Sequence, residues 1–191
     1  MKKEKPDQTL SEAVLAKDIE RVKELLDAGA KPDVDIIVYA IELKAHDVLR
    51  ALVSSGIDLN HANFRLFTPI DRALHVKDIV SLQILLDAGA SLDGDTAHGK
   101  PLHKAAVMCL GAAIPVLIAA GASVDARKDD HGHTALMVAA RCGYADVVKL
   151  LIEAGADQTV VDGKGKNARD VANENGSVDV LALLDVPPKR R

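Results

Sequence analysis

Gly132-His133-Thr134-Ala135-Leu136-Met137-Val138-Ala139-Ala140-Arg141-Cys142-Gly143-Tyr144-Ala145-Asp146-Val147-Val148-Lys149-Leu150-Leu151-Ile152-Glu153-Ala154-Gly155-Ala156-Asp157-Gln158 reads as two short helices placed back to back. Thr134 is a good N-cap, because its hydroxyl can accept an amide that the first turn leaves unpaired. The turn Arg141-Cys142-Gly143-Tyr144 separates the two helices. The second runs to the buried pair Leu151-Ile152 and stops at Gly155, which can take the left-handed conformation without a Cβ penalty.

The ending of this segment recurs along the chain. It stands as Leu25-Leu26-Asp27-Ala28-Gly29, Leu52-Val53-Ser54-Ser55-Gly56, Leu85-Leu86-Asp87-Ala88-Gly89 and Leu117-Ile118-Ala119-Ala120-Gly121. Successive glycines are 27, 33, 32 and 34 residues apart. Alanine follows at positions 30, 90, 122 and 156, and Ile57 replaces it once. Sixteen residues before each glycine stands another alanine: Ala13, Ala40, Ala73, Ala105 and Ala139. Thr68-Pro69-Ile70-Asp71-Arg72-Ala73 and Lys100-Pro101-Leu102-His103-Lys104-Ala105 lead into two of these, with proline where a first helical turn tolerates it.

A period near 33 headed by Thr-Pro-Leu-His-x-Ala resembles the ankyrin-repeat family. The segment 132–158 looks like a standard copy, and Gly165-Lys166-Asn167-Ala168-Arg169-Asp170-Val171-Ala172 resembles a terminal one, with Gly176 at the mid-repeat position. The likeness runs from Gln8 to Asp185. It implies an all-α fold, a solenoid of helix-turn-helix units with short β-hairpin fingers. One domain over 8–185 is expected, in units near 8–34, 35–62, 63–95, 96–128, 129–161 and 162–185, with 1–7 and 186–191 as polar tails. Polar residues on the first and last helices fit end units, so the array is expected to be whole.

The copies are not uniform. Asp35 follows Gly29 by six positions, where other copies use 11 to 13, so the first finger is cut short. Leu66 replaces the usual glycine before Thr68, and Pro115 is expected in a first helical turn. Both phenylalanines, Phe64 and Phe67, fall in one finger with Arg65 between them. They could anchor a partner, or one could fold back onto its neighbour.

Composition narrows the classes. Among 191 residues there are two Phe, two Tyr and no Trp, so the core must be built of Ala, Leu, Ile and Val. The net charge of −4 and basic runs confined to the ends argue against nucleic acid, which needs a concentrated basic face. No stretch is long enough to span a bilayer, and residues 1–8 carry no apolar leader. A cytoplasmic monomer is expected, or a periplasmic or secreted one if a signal peptide was trimmed. Cys109 and Cys142 lie about one repeat apart, beyond disulfide reach, and are expected as free thiols.

The resemblance implies that the chain is not an enzyme, needs no cofactor or metal, and binds another protein along a concave face, as an inhibitor or escort of an enzyme. By register that face takes Tyr39 and Glu42, then Phe64, Arg65, Phe67, Arg72 and His75. Lys104 and Met108 follow, then Asp130, His131, His133 and Arg141, and finally Lys164 and Lys166. His103 is expected to tie neighbouring turns. Two other classes stand beside this reading. His131 and His133 could serve metal binding or catalysis, although a site needs three or four converging ligands. A structural spacer would bind nothing. Gly163-Lys164-Gly165-Lys166 lacks the spacing of a phosphate loop and reads as a finger turn.

Overall fold

A computed structural model describes residues 6–63, 67–92, 100–127 and 131–184. The chain forms two compact units, Met1–Ala97 and His98–Arg191.

The first unit holds three helix pairs: α1 (Pro6–Leu15) with α2 (Ile19–Asp27), α3 (Val34–Glu42) with α4 (His46–Val53), and α5 (Pro69–His75) with α6 (Ile79–Asp87). Each first helix packs on the next first helix, α1 on α3 and α3 on α5, while α2 packs on α4 and α4 on α6. The second unit repeats the plan with α7 (Pro101–Val107) and α8 (Ala113–Ala119), α9 (Ala135–Cys142) and α10 (Ala145–Glu153), α11 (Ala168–Glu174) and α12 (Val178–Leu184). There α9 touches α7, α10 and α11.

Helix starts are set by short polar side chains. Asp18, Asp33, Asp78 and Thr134 accept from the amide three residues on, and Thr68 with Asp71 and Asn167 with Asp170 form reciprocal capping boxes. Pro115 is the third residue of α8, within its first turn.

Two left-handed positions per repeat set the helix ends. The first is the glycine after the second helix of the first five pairs. The amides of Ala30, Ala90, Ala122 and Ala156 reach back to the carbonyls of Leu25, Leu85, Leu117 and Leu151 at 2.9–3.0 Å, satisfying groups that a helix end leaves open. Where Ile57 breaks this pattern, the Ser55 hydroxyl donates to the Leu52 carbonyl at 2.7 Å instead. The second position lies between the helices of each pair. Lys17, Lys44, Lys77 and Cys109 occupy it with φ of 51–55°, and Gly143 and Gly176 with φ of 74° and 64°. There the carbonyls of Ala13, Ala40, Ala73, Ala105, Ala139 and Ala172 accept from the residue five on. All six alanines are 0–5% exposed, so a small side chain sits where the chain doubles back. Cys109 is therefore the positional counterpart of Gly143, whereas Cys142 ends α9 one residue earlier; both thiols are free and exposed.

A left-handed non-glycine residue costs about 1–2 kcal/mol, part of which glycine returns as lost chain entropy. Lys44→Gly should therefore raise stability by about 0.5–1 kcal/mol. Gly155→Ala should lower it by about 1–2 kcal/mol, although an added methyl there meets nothing within 4 Å. Urea midpoints of opposite sign would bear this out; two shifts of the same sign would refute it.

No strand occurs among the described residues. Two of the expected hairpin fingers are closed between positions 63 and 67 and between 162 and 166. The Asn63 amide donates to the Phe67 carbonyl at 2.9 Å, and the returning bond comes from the Phe67 amide to the Asn63 side chain at 3.1 Å. Asp162 and Lys166 repeat both bonds at 2.9 Å. A side chain thus replaces the second backbone bond, and no ladder forms. The short link after α2 leaves an open cavity of about 700 Å³, lined in part by Leu26, Pro32, Ala51 and Ile57.

Candidate functional site

In the first unit the candidate residues converge on the first-helix row. Helical spacing puts Tyr39 and Glu42 on one side of α3, with Tyr39 39% exposed. Glu42 Oε1 accepts from Arg72 Nη2 at 2.7 Å, joining α3 to α5. The Arg72 guanidinium lies 5.9 Å from the centroid of Phe67, and the Phe67 ring is 5.7 Å from that of His75. Phe67 thus lies back along α5, half-buried. Phe64 and Arg65 are outside the described residues, as is Leu66. Glu42 engages one edge of Arg72, while Arg72 Nε is buried without a hydrogen-bond partner. Such a group costs about 1–3 kcal/mol, so this cluster is not arranged for stability alone.

In the second unit the candidates divide between the helix row and the finger loops. Lys104 and Met108 are half-buried at α7, and Arg141 is exposed in the last turn of α9. His131 and His133 stack with centroids 5.9 Å apart. The His133 carbonyl accepts from His103 Nε2 at 2.9 Å, so His103 does tie adjacent repeats. The His133 ring stands 3.7 Å from Asp162. Among the described residues no three His, Cys, Asp or Glu side chains converge as a metal site would require. Asp130 lies outside the described residues.

The loop 162–166 is closed on itself. Asp162 N–H donates to the Lys166 carbonyl, Gly163 N–H to the His131 carbonyl and Gly165 N–H to the Asp162 carbonyl. The amides of Lys164 and Lys166 both donate to Asp162 Oδ1 at 2.8 and 2.9 Å. Four amides of the loop are engaged within it and the fifth, of Gly163, by His131, so it cannot cradle a phosphate through backbone donors. The Lys166 amide, against the cost of burial, holds the Asp162 carboxyl below its ordinary value, helped by the Lys164 amide and the His133 and Lys166 charges. Lys166 itself pairs with Glu174, whose bond raises the ammonium above its usual range.

Three residues that position these groups did not stand out as candidates. Asn63 and Asp162 share one register and could have been found by alignment of the copies. Arg127 could not, because only the folded loop brings its guanidinium beside Gly132.

Comparison with known proteins follows the same register. A family model described as ankyrin repeats (3 copies) matches residues 77–162 and 102–185. An ankyrin repeat-containing protein of Treponema pallidum (strain Nichols) is 39% identical over 137 residues, 71% of this chain and 44% of its own length. A protein described as a probable 26S proteasome regulatory subunit, p28, of Saccharomyces cerevisiae is 35% identical over 117 residues, 60% of this chain and 51% of its own. The chain thus spans about half the length of these relatives. The crystal structure of an ankyrin repeat protein superposes with a TM-score of 0.80 at 28% identity, covering 93% of this chain and 96% of the other. An ankyrin repeat domain from Acinetobacter baumannii AYE gives 0.79 at 26%, covering 92% and 95%.

Proposed function

The chain belongs to the ankyrin-repeat family, whose repeats mediate protein–protein interaction, and from that premise we propose that it binds a folded partner protein through its first-helix rows, as an inhibitor or escort of an enzyme. The observation that carries this reading is the cluster in the first unit. Tyr39 is exposed beside the Glu42–Arg72 pair, Phe67 lies against the same guanidinium, and the His75 ring lies against Phe67. Tyrosine and arginine are the residue types that concentrate binding energy in interfaces. The cluster is held in place before any partner arrives, which lowers the ordering cost of association. Occlusion of an active-site cleft is what such a surface can do without chemistry of its own.

The test is capture of partners from cells of the native organism, identified by mass spectrometry, with the intact chain and with Tyr39→Ala. Loss of a hot-spot aromatic costs about 2 kcal/mol or more, so the variant should hold its partner about thirtyfold less tightly at unchanged circular dichroism. A partner held equally by both forms would sink this placement of the interface. An enzyme whose activity is unaffected by the bound chain would sink the inhibitor reading.

A further inference from the structure

We propose that the cavity between the first two helix pairs is a second docking site, which seats a short aspartate-bearing loop of the partner protein; this rests on the protein-binding reading above. The cavity follows from the sequence. Asp35 comes six positions after Gly29, where other copies use 11 to 13, so chain that spans this junction elsewhere is missing here. What remains is an open space of about 700 Å³ between the end of α2 and the end of α4. Leu26, Pro32, Ala51 and Ile57 supply its apolar wall.

Two other junctions show what the missing chain does. The Ser91 amide, two positions after Gly89, donates to Asn60 Oδ1 of the preceding repeat at 2.7 Å. The Asp157 amide, two positions after Gly155, donates to Asp125 Oδ1 at 2.9 Å. Asn60 and Asp125 each stand four positions after the glycine of their own repeat. Asp58 is the counterpart of Asp157, and in both the carboxylate accepts from the amide two residues on at 2.8 Å. Asp33 is the residue four after Gly29, but the short link makes it the N-cap of α3, where it accepts from the Ile36 amide at 2.9 Å. Among the described residues the Asp58 amide therefore has no acceptor. Nor has that of Ile57, at a turn where the Ser55 hydroxyl takes the Leu52 carbonyl instead.

The occupant follows from that register. Two neighbouring amides beside an apolar wall match a polypeptide loop that brings its own side-chain oxygen, as the loops at 60 and 125 do. A carboxylate makes the stronger bond to an amide, which favours aspartate over asparagine. Charge at the cavity agrees. Its lining holds two ammoniums, Lys23 and Lys31, against the one carboxylate of Asp27. Lys23 pairs with Glu20, whereas Lys31 is exposed and forms no ion pair among the described residues. The Asp58 carboxylate is already held by the Asn60 amide and the His61 ring. Asp157 shows that the amide of such a residue takes a second carboxylate.

An NMR titration of the intact chain with a synthetic peptide copying residues 119–126 tests this, because that segment carries Asp125 to Asp157 in the chain itself. The amide resonances of Ile57 and Asp58 should move and saturate. The same peptide with Asp125→Ala should bind about tenfold less tightly. Lys31→Glu in the chain should weaken binding about threefold. A chain whose link is lengthened between Lys31 and Pro32 to the usual spacing, with an aspartate four positions after Gly29, should not take the peptide. Ile57→Glu serves the same end should the longer link disturb folding. The proposal is overturned if those two amides stay still, if the alanine peptide binds equally well, or if both cavity variants bind the peptide as the intact chain does. Native capture separates the two readings. A partner lost by Tyr39→Ala yet held by both cavity variants removes this site and leaves protein binding standing. Peptide binding in the absence of any native partner does the reverse.

Discussion

Asp78→Ala is expected to cost about 3 kcal/mol and to lower the thermal midpoint by about 10 °C. Asp78 is 5% exposed and is the N-cap of α6. It accepts from the Ser81 amide at 3.3 Å, from the Ser81 hydroxyl at 2.7 Å and from His46 Nε2 at 2.9 Å. The last of these joins α4 to α6, so one carboxylate serves a helix start and a contact between repeats. An N-cap contributes about 1 kcal/mol, and each hydrogen bond to a charged group about 1.5–3, less the desolvation the alanine no longer incurs. Burial pushes the Asp78 carboxyl up, but the Ser81 hydroxyl, the His46 ring and the Ser81 amide outweigh it and hold the group below its ordinary value. A carboxyl lowered on folding contributes stability above its unfolded pKa, about 3.9, and loses it as pH falls through the folded value. The intact chain should therefore lose stability more steeply below about pH 4 than Asp78→Ala does. Urea midpoints at neutral and acid pH measure both effects. Parallel acid limbs for the two proteins would refute the assignment.

Much of the fold could be read in advance because its punctuation is local. A left-handed glycine after Leu-Leu-x-x is demanded by the backbone and needs no tertiary partner, so Gly29, Gly89 and Gly155 mark helix ends in sequence as in structure. Pro115 lies in a first turn, where a proline is tolerated. The other left-handed position was harder. Gly143 announces it, but Lys17, Lys44, Lys77 and Cys109 do not, because their side chains carry no sign of φ. Spacing by one period from Cys109 points to Cys142, whereas the backbone puts Gly143 at the equivalent place.

The candidate faces were legible as positions and not as contacts. Register brought Glu42 and Arg72 to neighbouring first helices, and their ion pair follows from packing of α3 on α5. The way Phe67 lies along α5 depends on side-chain rotamers that spacing does not encode. Fingers without strands arise because Asn63 and Asp162 supply side-chain acceptors in place of a second backbone rung. An asparagine or aspartate at that position says turn, and only the coordinates say which bond it makes.

Ala139→Leu should destabilise the protein by about 3 kcal/mol, the upper end of what over-packing costs, although it adds apolar surface to the core. Ala139 is fully buried in α9, a helix touched by α7, α10 and α11. Its carbonyl accepts from the Tyr144 amide at 3.1 Å, so the backbone at that residue is held by the turn it helps to close. Three added carbons must be fitted into a fully buried position whose backbone is held by that bond. Two Phe, two Tyr and no Trp in the whole chain leave the core to residues whose bulk is modest and whose spacing is fixed by alanine. Leu136→Met, one turn earlier on the same helix, keeps the volume and should cost less than about 1.5 kcal/mol. Thermal melts of the two variants distinguish a core set by spacing from one set by total hydrophobicity. If Ala139→Leu melts no lower than Leu136→Met, the alanine register is not what brings these helices together.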